Sequence, residues 1–439
     1  MKIVKFGGTS VGSPERMANV AEIITSDQEE KIVVLSAVSG TTNKLVSICD
    51  SLYGENIAEG KEKVKALYDS YLPFVETLLK KEEFIQKGKT VIENQFAAIH
   101  NCVDTSFTVR EERIILAQGE LISTQLFQLY LEENGITSTL IPALDFMRTN
   151  RDEEPDLAQI EKLLSSILHD KSGEKIFITQ GYICKNINGE IDNLKRGGSD
   201  YTASLIGAAI NATEVQIWTD IDGMHNNDPR IVDKTEPISE LTFDEAAELA
   251  YFGAKILHPY TIRPVRDKGI MVRLKNTMDP KAGGTAISNK TIDKEIKAIA
   301  AKDDITAVKV KSGRMLLAYG FLSKLFGVFD KHKTSIDMVT TSEVAVSLTI
   351  DDDSKLDLIK TDLEGFGFVE IDTQQTIICI VGQFVAEKKG IIKKVFDALE
   401  DISIRMVSYG GSKNNISILI NMEDKEKALK VLNSELFGL

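Results

Sequence analysis

Val4-Lys5-Phe6-Gly7-Gly8-Thr9-Ser10-Val11-Gly12-Ser13 brings a short apolar strand, Met1 to Phe6, to a lysine and a glycine-rich turn, with a helix expected from about Pro14. A second apolar strand, Lys31 to Ala37, runs into Ser36-Ala37-Val38-Ser39-Gly40-Thr41-Thr42-Asn43. Strand, helix, strand in that order begins a doubly wound sheet, where ligands collect beyond the carboxyl ends of the strands. Both small-residue turns fall at such ends. Paired glycines let the backbone approach an anion, Thr9 and Ser10 add donors, and a helix N-terminus adds partial positive charge. Lys5 would add a full charge. A lone Gly-Gly pair is also an ordinary tight turn, so its meaning depends on the rest of the chain.

Residues from about Asn56 to Cys102 carry Val64, Leu67, Tyr71, Phe74, Leu78 and Leu79 at helical spacing and read as a helical insertion. Further strands are expected at Ser138 to Ile141, Lys175 to Tyr182 and Glu214 to Thr219. Lys195 to Asp200 reads as a polar turn before a small-residue helix, Tyr201 to Ile210. Asp279-Pro280-Lys281-Ala282-Gly283-Gly284-Thr285 marks a domain boundary. Beyond it the chain repeats itself. Ser335-Ile336-Asp337-Met338-Val339 returns as Ser403-Ile404-Arg405-Met406-Val407, each after an amphipathic helix containing Phe326 or Phe396, which is the signature of a duplicated supersecondary unit.

With 439 residues the chain suits two or three domains. Its 52 basic and 66 acidic residues, a formal charge of -14, argue against nucleic-acid or anionic-membrane partners. No stretch has the run of apolar residues needed to span a bilayer, and the N-terminus reaches glycine too soon for a signal-peptide core. The expected compartment is the cytoplasm. Cys49, Cys102, Cys184 and Cys379 are scattered without a C-x-x-C pair, so they read as buried, reduced thiols rather than as a zinc site or disulfide framework.

The common nucleotide signatures, G-x-x-x-x-G-K-[ST] and a complete G-x-G-x-x-G, are missing. Instead, several polar turns place charge beside Gly or Pro: Lys195-Arg196-Gly197-Gly198-Ser199-Asp200, Thr219-Asp220-Ile221-Asp222-Gly223, Asn227-Asp228-Pro229-Arg230 and Gly253-Ala254-Lys255-Ile256-Leu257-His258-Pro259. Each alone has a plain reading as a cap or solvated turn. Together they offer amides, cations and carboxylates for a polyanion with Mg²⁺ carried on its phosphates.

In order and spacing, Lys5-Phe6-Gly7-Gly8-Thr9-Ser10-Val11, Gly119-Glu120, Arg196-Gly197-Gly198-Ser199-Asp200, Thr219-Asp220, Asp228-Pro229-Arg230 and Gly253-Ala254-Lys255-Ile256-Leu257-His258-Pro259 resemble the aspartate kinase family. The resemblance covers essentially the whole chain and is closest to monofunctional, lysine-sensitive members. It implies an α/β fold: a three-layer αβα amino-acid-kinase domain with a mainly parallel sheet over 1–290, then two ferredoxin-like ACT modules over 291–380 and 381–439, with strand exchange between them allowed.

The activity implied is transfer of the ATP γ-phosphoryl, with Mg²⁺, to the side-chain carboxylate of L-aspartate, the first step towards lysine, threonine and methionine. By the same resemblance Lys5, Gly7 and Gly8 stabilise the migrating phosphoryl group, and Asp200 organises Lys5. Arg196 grips the substrate α-carboxylate, Glu120 pairs with its α-ammonium, and Ser36, Thr42 and Ser199 add hydrogen bonds. Thr219, Asp220, His225, Arg230, Lys255 and Ile256 take the nucleotide, His225 standing where relatives often carry tyrosine. No protein-only metal site is implied. A kinase for another amino acid and a non-catalytic amino-acid sensor are the alternative readings.

For the C-terminal modules the resemblance implies a homodimer, or a tetramer, with an amino-acid effector. Met315, Phe321, Leu322, Asp337, Thr341, Ser342, Glu343 and Val344 match the effector segment of lysine-inhibited members. Asp337 and Glu343 suit the two ammonium groups of lysine, whereas threonine has no side-chain charge to meet. Arg405 replaces Asp337 in the second copy, so only the first copy favours a cationic effector.

Overall fold

The computed structural model describes residues 1–171, 173–194, 197–253, 257–290, 295–315 and 319–439. They form two compact units, Met1–Met224 with Leu257–Asn289, and His225–Ile256 with Lys290–Leu439. Residues 225–256, expected within the first domain, therefore group with the second by compactness.

The first unit starts with β1 (Lys2–Phe6), α1 (Pro14–Thr25), β2 (Lys31–Leu35), α2 (Thr41–Tyr53), α3 (Ile57–Leu78), α4 (Glu82–Val103) and α5 (Val109–Glu133). It continues with β3 (Thr139–Leu140), α6 (Ala143–Phe146), α7 (Leu157–Asp170), β4 (Ile176–Gln180), β5 (Ile183–Lys185), β6 (Ile191–Asn193), α8 (Gly198–Ala209) and β7 (Val215–Thr219). The chain then gives β8 (Glu240–Thr242) and α9 (Phe243–Tyr251) to the second unit and returns with α10 (Arg263–Asp267), β9 (Val272–Asn276) and β10 (Thr285–Ser288).

Strand order runs β3-β4-β2-β1-β7-β9-β10. All neighbours are parallel except β9 with β10. Every residue of β2 is buried, as expected for a central strand covered on both faces. Ser13 caps α1 by accepting from the Arg16 N–H (3.3 Å), Pro14 pre-sets its first turn, and Met17, Val20, Ala21 and Ile24 form its core stripe. The expected helical insertion is the pair α3 and α4. β1 lies between β2 and β7, so the strand order reverses at the carboxyl end of β1, which is where a doubly wound sheet opens a crevice.

The second unit continues with β11 (Ala298–Lys311), α11 (Phe321–Lys331), β12 (Val339–Thr341), β13 (Ala345–Ile350), α12 (Leu356–Glu364), β14 (Phe368–Val381), α13 (Ile391–Ala398), β15 (Ile404–Tyr409), β16 (Asn415–Asn421) and α14 (Lys425–Phe437). Its antiparallel sheet has the order β12-β13-β11-β14-β16-β15. The two long strands pair through a register shift between Lys302 and Ala307. On one side of that irregularity Ile299, Ile378 and Ile380 pack with Val395, Ile418 and Leu432; on the other Val308 and Val310 pack with Leu325, Phe329, Leu348 and Ile359. Each long strand thus serves both repeats.

Candidate active site

The turn after β1 is held at both sides. Gly7 N–H donates to the Trp218 carbonyl (3.3 Å), Ser36 N–H donates to the Phe6 carbonyl (3.2 Å), and Ser10 and Thr277 share a hydroxyl hydrogen bond of 2.7 Å. A Cβ on Gly8 would stand 3.1 Å from the Ala37 carbonyl oxygen, so the two turns approach each other closely. Gly8–Val11 is a 3-10 turn, and α1 begins only at Pro14. Lys5 Nζ makes a 2.7 Å ion pair with Asp200 Oδ1, both side chains largely shielded.

Asp200 reaches Lys5 because α8 starts earlier than the polar turn suggested. The helix begins at Gly198, not Tyr201, which places Ser199 and Asp200 in its first turn. Acidic residues are favoured there by the helix dipole. Gly197 precedes the helix at φ 60°, a conformation glycine adopts without cost. Ser36 Oγ donates to Ser199 Oγ (2.9 Å), tying the end of β2 to the same helix start.

On the far side of the second turn, α5 comes close because residue 119 is glycine: a Cβ there would lie 2.8 Å from the Ala37 Cβ. The next residue, Glu120, is buried. Its Oε1 accepts from the Ala37 N–H (3.2 Å), whereas Oε2 is buried without a hydrogen-bond partner. Burial pushes this carboxyl up to about 8, against a weaker opposite pull from Ala37 N–H and the Lys5 charge. A buried acceptor left open costs free energy until a donor arrives. A substrate ammonium fits that need. Thr42 lies in the first turn of α2, Thr219 ends β7 and Asp220 follows it, Thr219 Oγ1 donating to Asp220 (3.1 Å).

Other expected site residues belong to the second unit. His225 Nδ1 shares a hydrogen bond of 2.8 Å with Thr235. Arg230 is well exposed and grips Asp228 through Nε (2.9 Å) and Nη2 (2.7 Å). Arg196, Lys255 and Ile256 lie outside the described residues. Cys49, Cys102, Cys184 and Cys379 are buried free thiols, and burial pushes Cys49 and Cys184 up to about 12.

Among the effector-segment residues, Met315, Phe321 and Leu322 pack against the core of the first repeat. Thr341, Ser342, Glu343 and Val344 are exposed at the turn between β12 and β13. Asp337 precedes β12 and its side chain is fully shielded. Asp337 and Glu343 therefore sit at opposite ends of β12, and one chain does not bring them together around a single effector.

Gly181 and Tyr182 are expected from the sequence only as the end of a strand, Lys175 to Tyr182, and not as site residues, whereas β4 ends at Gln180. They follow β4 at the same sheet edge, and a Cβ on Gly181 would fall 2.3 Å from Ser199 Oγ. Tyr182 adopts φ 68°, its N–H donates to Thr202 Oγ1 (2.9 Å), and burial with the nearby Glu120 charge pushes its phenol up to about 12. The available signal was a glycine directly after a buried strand. Ser123 was missed as well; it donates to the Ser36 carbonyl (2.7 Å) from the buried polar face of α5.

Comparison with known proteins identifies the family. Residues 1–276 match the amino acid kinase family, and residues 378–436 match an ACT domain. The chain is 36% identical over 448 residues to lysine-sensitive aspartokinase 3 of Escherichia coli, covering 99% of each, and 35% identical to chloroplastic aspartokinase 2 of Arabidopsis thaliana, covering 99% of this chain and 84% of the relative. Two solved structures of E. coli aspartokinase III, one with lysine and aspartate (T-state) and one with aspartate and ADP (R-state), each superpose with a TM-score of 0.84 at 35% identity. They cover 100% of this chain and 99% and 100% of theirs. Similarity at this level over essentially the full length of both chains makes the chain a member of the aspartokinase family.

Proposed function

We propose that the protein transfers the γ-phosphoryl of ATP to the side-chain carboxylate of L-aspartate, giving 4-phospho-L-aspartate and ADP, under feedback from lysine at its ACT modules. The observation that carries the substrate assignment is the buried, unpartnered Oε2 of Glu120 within electrostatic reach of Lys5. An ammonium on the substrate would meet that oxygen and return Glu120 to its charged form.

The attacking carboxylate is ionised at neutral pH, with an ordinary value of about 3.9, so no general base is required. Catalysis then consists of holding two anions together and stabilising charge on the migrating group. Lys5 supplies the charge, the Gly7 and Gly8 turn supplies close backbone approach, and Asp200 fixes where Lys5 points. Ser36, Thr42 and Ser199 orient the substrate, with Arg196 assigned to the α-carboxylate as a two-pronged fork. Thr219, Asp220, His225, Arg230, Lys255 and Ile256 are assigned to the nucleotide. Mg²⁺ is assigned to the nucleotide phosphates, where it would neutralise charge. Lysine as effector is supported by the lysine-sensitive E. coli relative, and homodimerisation through the ACT modules is proposed with it.

Incubation with ATP, Mg²⁺ and hydroxylamine tests the reading by trapping the acyl phosphate as hydroxamate. L-aspartate should give product, while succinate, which lacks the ammonium, and L-glutamate should give little. Equal product from succinate would overturn the role of Glu120. Nucleotide binding with no hydroxamate from any acid would favour a non-catalytic sensor.

A further inference from the structure

Within the second unit, α9 is fastened to the regulatory sheet along its length. Glu245 at its start forms a buried ion pair with Lys297 (2.8 Å). Glu248 accepts from the Asn415 side-chain amide. Two residues past its end, Gly253 lies so close to β11 that a Cβ would stand 2.2 Å from the Ala301 carbonyl oxygen. The last residue of the helix, Tyr251, donates its phenol O–H to Asp337 Oδ1. Lys302 Nζ reaches the same oxygen (3.3 Å), lies 2.8 Å from Asp351 and sits 4.5 Å from the centre of the Tyr251 ring.

Two carboxylates thus share one ammonium. Asp337 Oδ2 is buried and has no hydrogen-bond partner. The cluster lacks one cation, and a buried carboxylate with an open oxygen is costly until one arrives. Tyr251 and Lys302 already hold Asp337 Oδ1, so an ammonium that binds this carboxylate competes with Lys302 for its charge. Lys302 has somewhere to go, since it is already closer to Asp351 than to Asp337.

We propose that Lys302 is an internal stand-in for the effector ammonium: a cationic effector takes Asp337, Lys302 withdraws to Asp351, and Tyr251 passes the exchange to α9. This rests on the reading of the first repeat as the effector module. The chain leaves α9 at Tyr251, four residues before Lys255, so the helix end that Asp337 holds adjoins in sequence the residues assigned to the nucleotide. An effector shifts the enzyme only if it binds the two arrangements differently, and the exchange at Asp337 supplies that difference.

Calorimetric titration of the full-length protein with L-lysine, beside inhibition curves, tests the proposal in wild type, Lys302→Met, Asp351→Asn and Tyr251→Phe. Removing the competitor in Lys302→Met should tighten L-lysine about tenfold, and removing its retreat in the half-exposed Asp351→Asn should weaken it about three- to tenfold. Tyr251→Phe should still bind L-lysine but lose at least about half of the maximal inhibition, measured against its own uninhibited rate. Shifts in one direction for Lys302→Met and Asp351→Asn, or no shift in either, would overturn the exchange. Full inhibition in Tyr251→Phe would overturn the link to α9. If wild type binds no L-lysine, the effector reading fails with it; if wild type binds and the variants match it, only the exchange fails.

Discussion

Glu120 and Lys5 carry opposite charges into the same crevice for different reasons. Lys5 is held ready by Asp200, whereas Glu120 waits for a partner. With Glu120 pushed up to about 8, binding an ammonium below that pH must first remove a proton. KM for L-aspartate should therefore rise up to tenfold per unit as pH falls below about 8, and Glu120→Gln should raise KM and flatten that dependence. The sign for stability is opposite. An acid raised above its ordinary 4.5 keeps its proton in the folded protein where the unfolded chain has lost it, so stability falls as pH climbs from 4.5 to about 8. Glu120→Gln should be more stable than wild type at pH 8 by about 1–4 kcal/mol and nearly equal at pH 4.5, read by denaturant titration. Lys5→Met should lower kcat about 10²- to 10³-fold with the fold intact by circular dichroism; wild-type turnover would remove Lys5 from the phosphoryl group. Lys5 and Asp200 were legible in the sequence as residues, and their partnership only through the family resemblance, since no spacing announces an ion pair that joins a strand to a helix far along the chain.

At the scale of elements, the site depends on how α8 starts. In the sequence its first turn reads as a loop, because Gly197-Gly198 resembles a turn and small residues fill the rest, yet helix geometry from Gly198 is what aims Asp200 at Lys5. Gly181 leaves the space that the helix start occupies. Gly181→Ala would place a Cβ within 2.8 Å of Ser199 Cα as well as its side chain, so rotation of the serine alone cannot relieve it. Destabilisation of about 1–3 kcal/mol and a fall in kcat of about ten- to a hundredfold are expected. Unchanged kcat in a crystal structure with α8 displaced would show that this helix does not position the chemistry. The parallel strands were legible because β2 is a continuous apolar run and each following turn is small and polar. Gly181-Tyr182 gave only a weak signal, a glycine after a strand.

For the molecule as a whole, the duplicated segment was visible as a repeated pentapeptide with matching flanks. What the pattern could not reveal is that β11 and β14 each run through both repeats, since a register shift inside a strand leaves no periodic trace. Nor could it reveal that Val232 packs with the core of the second repeat, because that contact spans a long sequence separation. The account of the whole rests on one chemical event, attack by the aspartate side-chain carboxylate on phosphorus. L-aspartate labelled with ¹⁸O in that carboxylate, turned over with ATP and hydroxylamine, tests it directly, because hydroxylamine cleaves the acyl C–O bond and releases phosphate carrying the bridging oxygen. The account predicts inorganic phosphate with one ¹⁸O, seen as an isotope shift in the ³¹P spectrum and matched by aspartate hydroxamate. Unlabelled phosphate would mean that water, not the carboxylate, accepts the phosphoryl group.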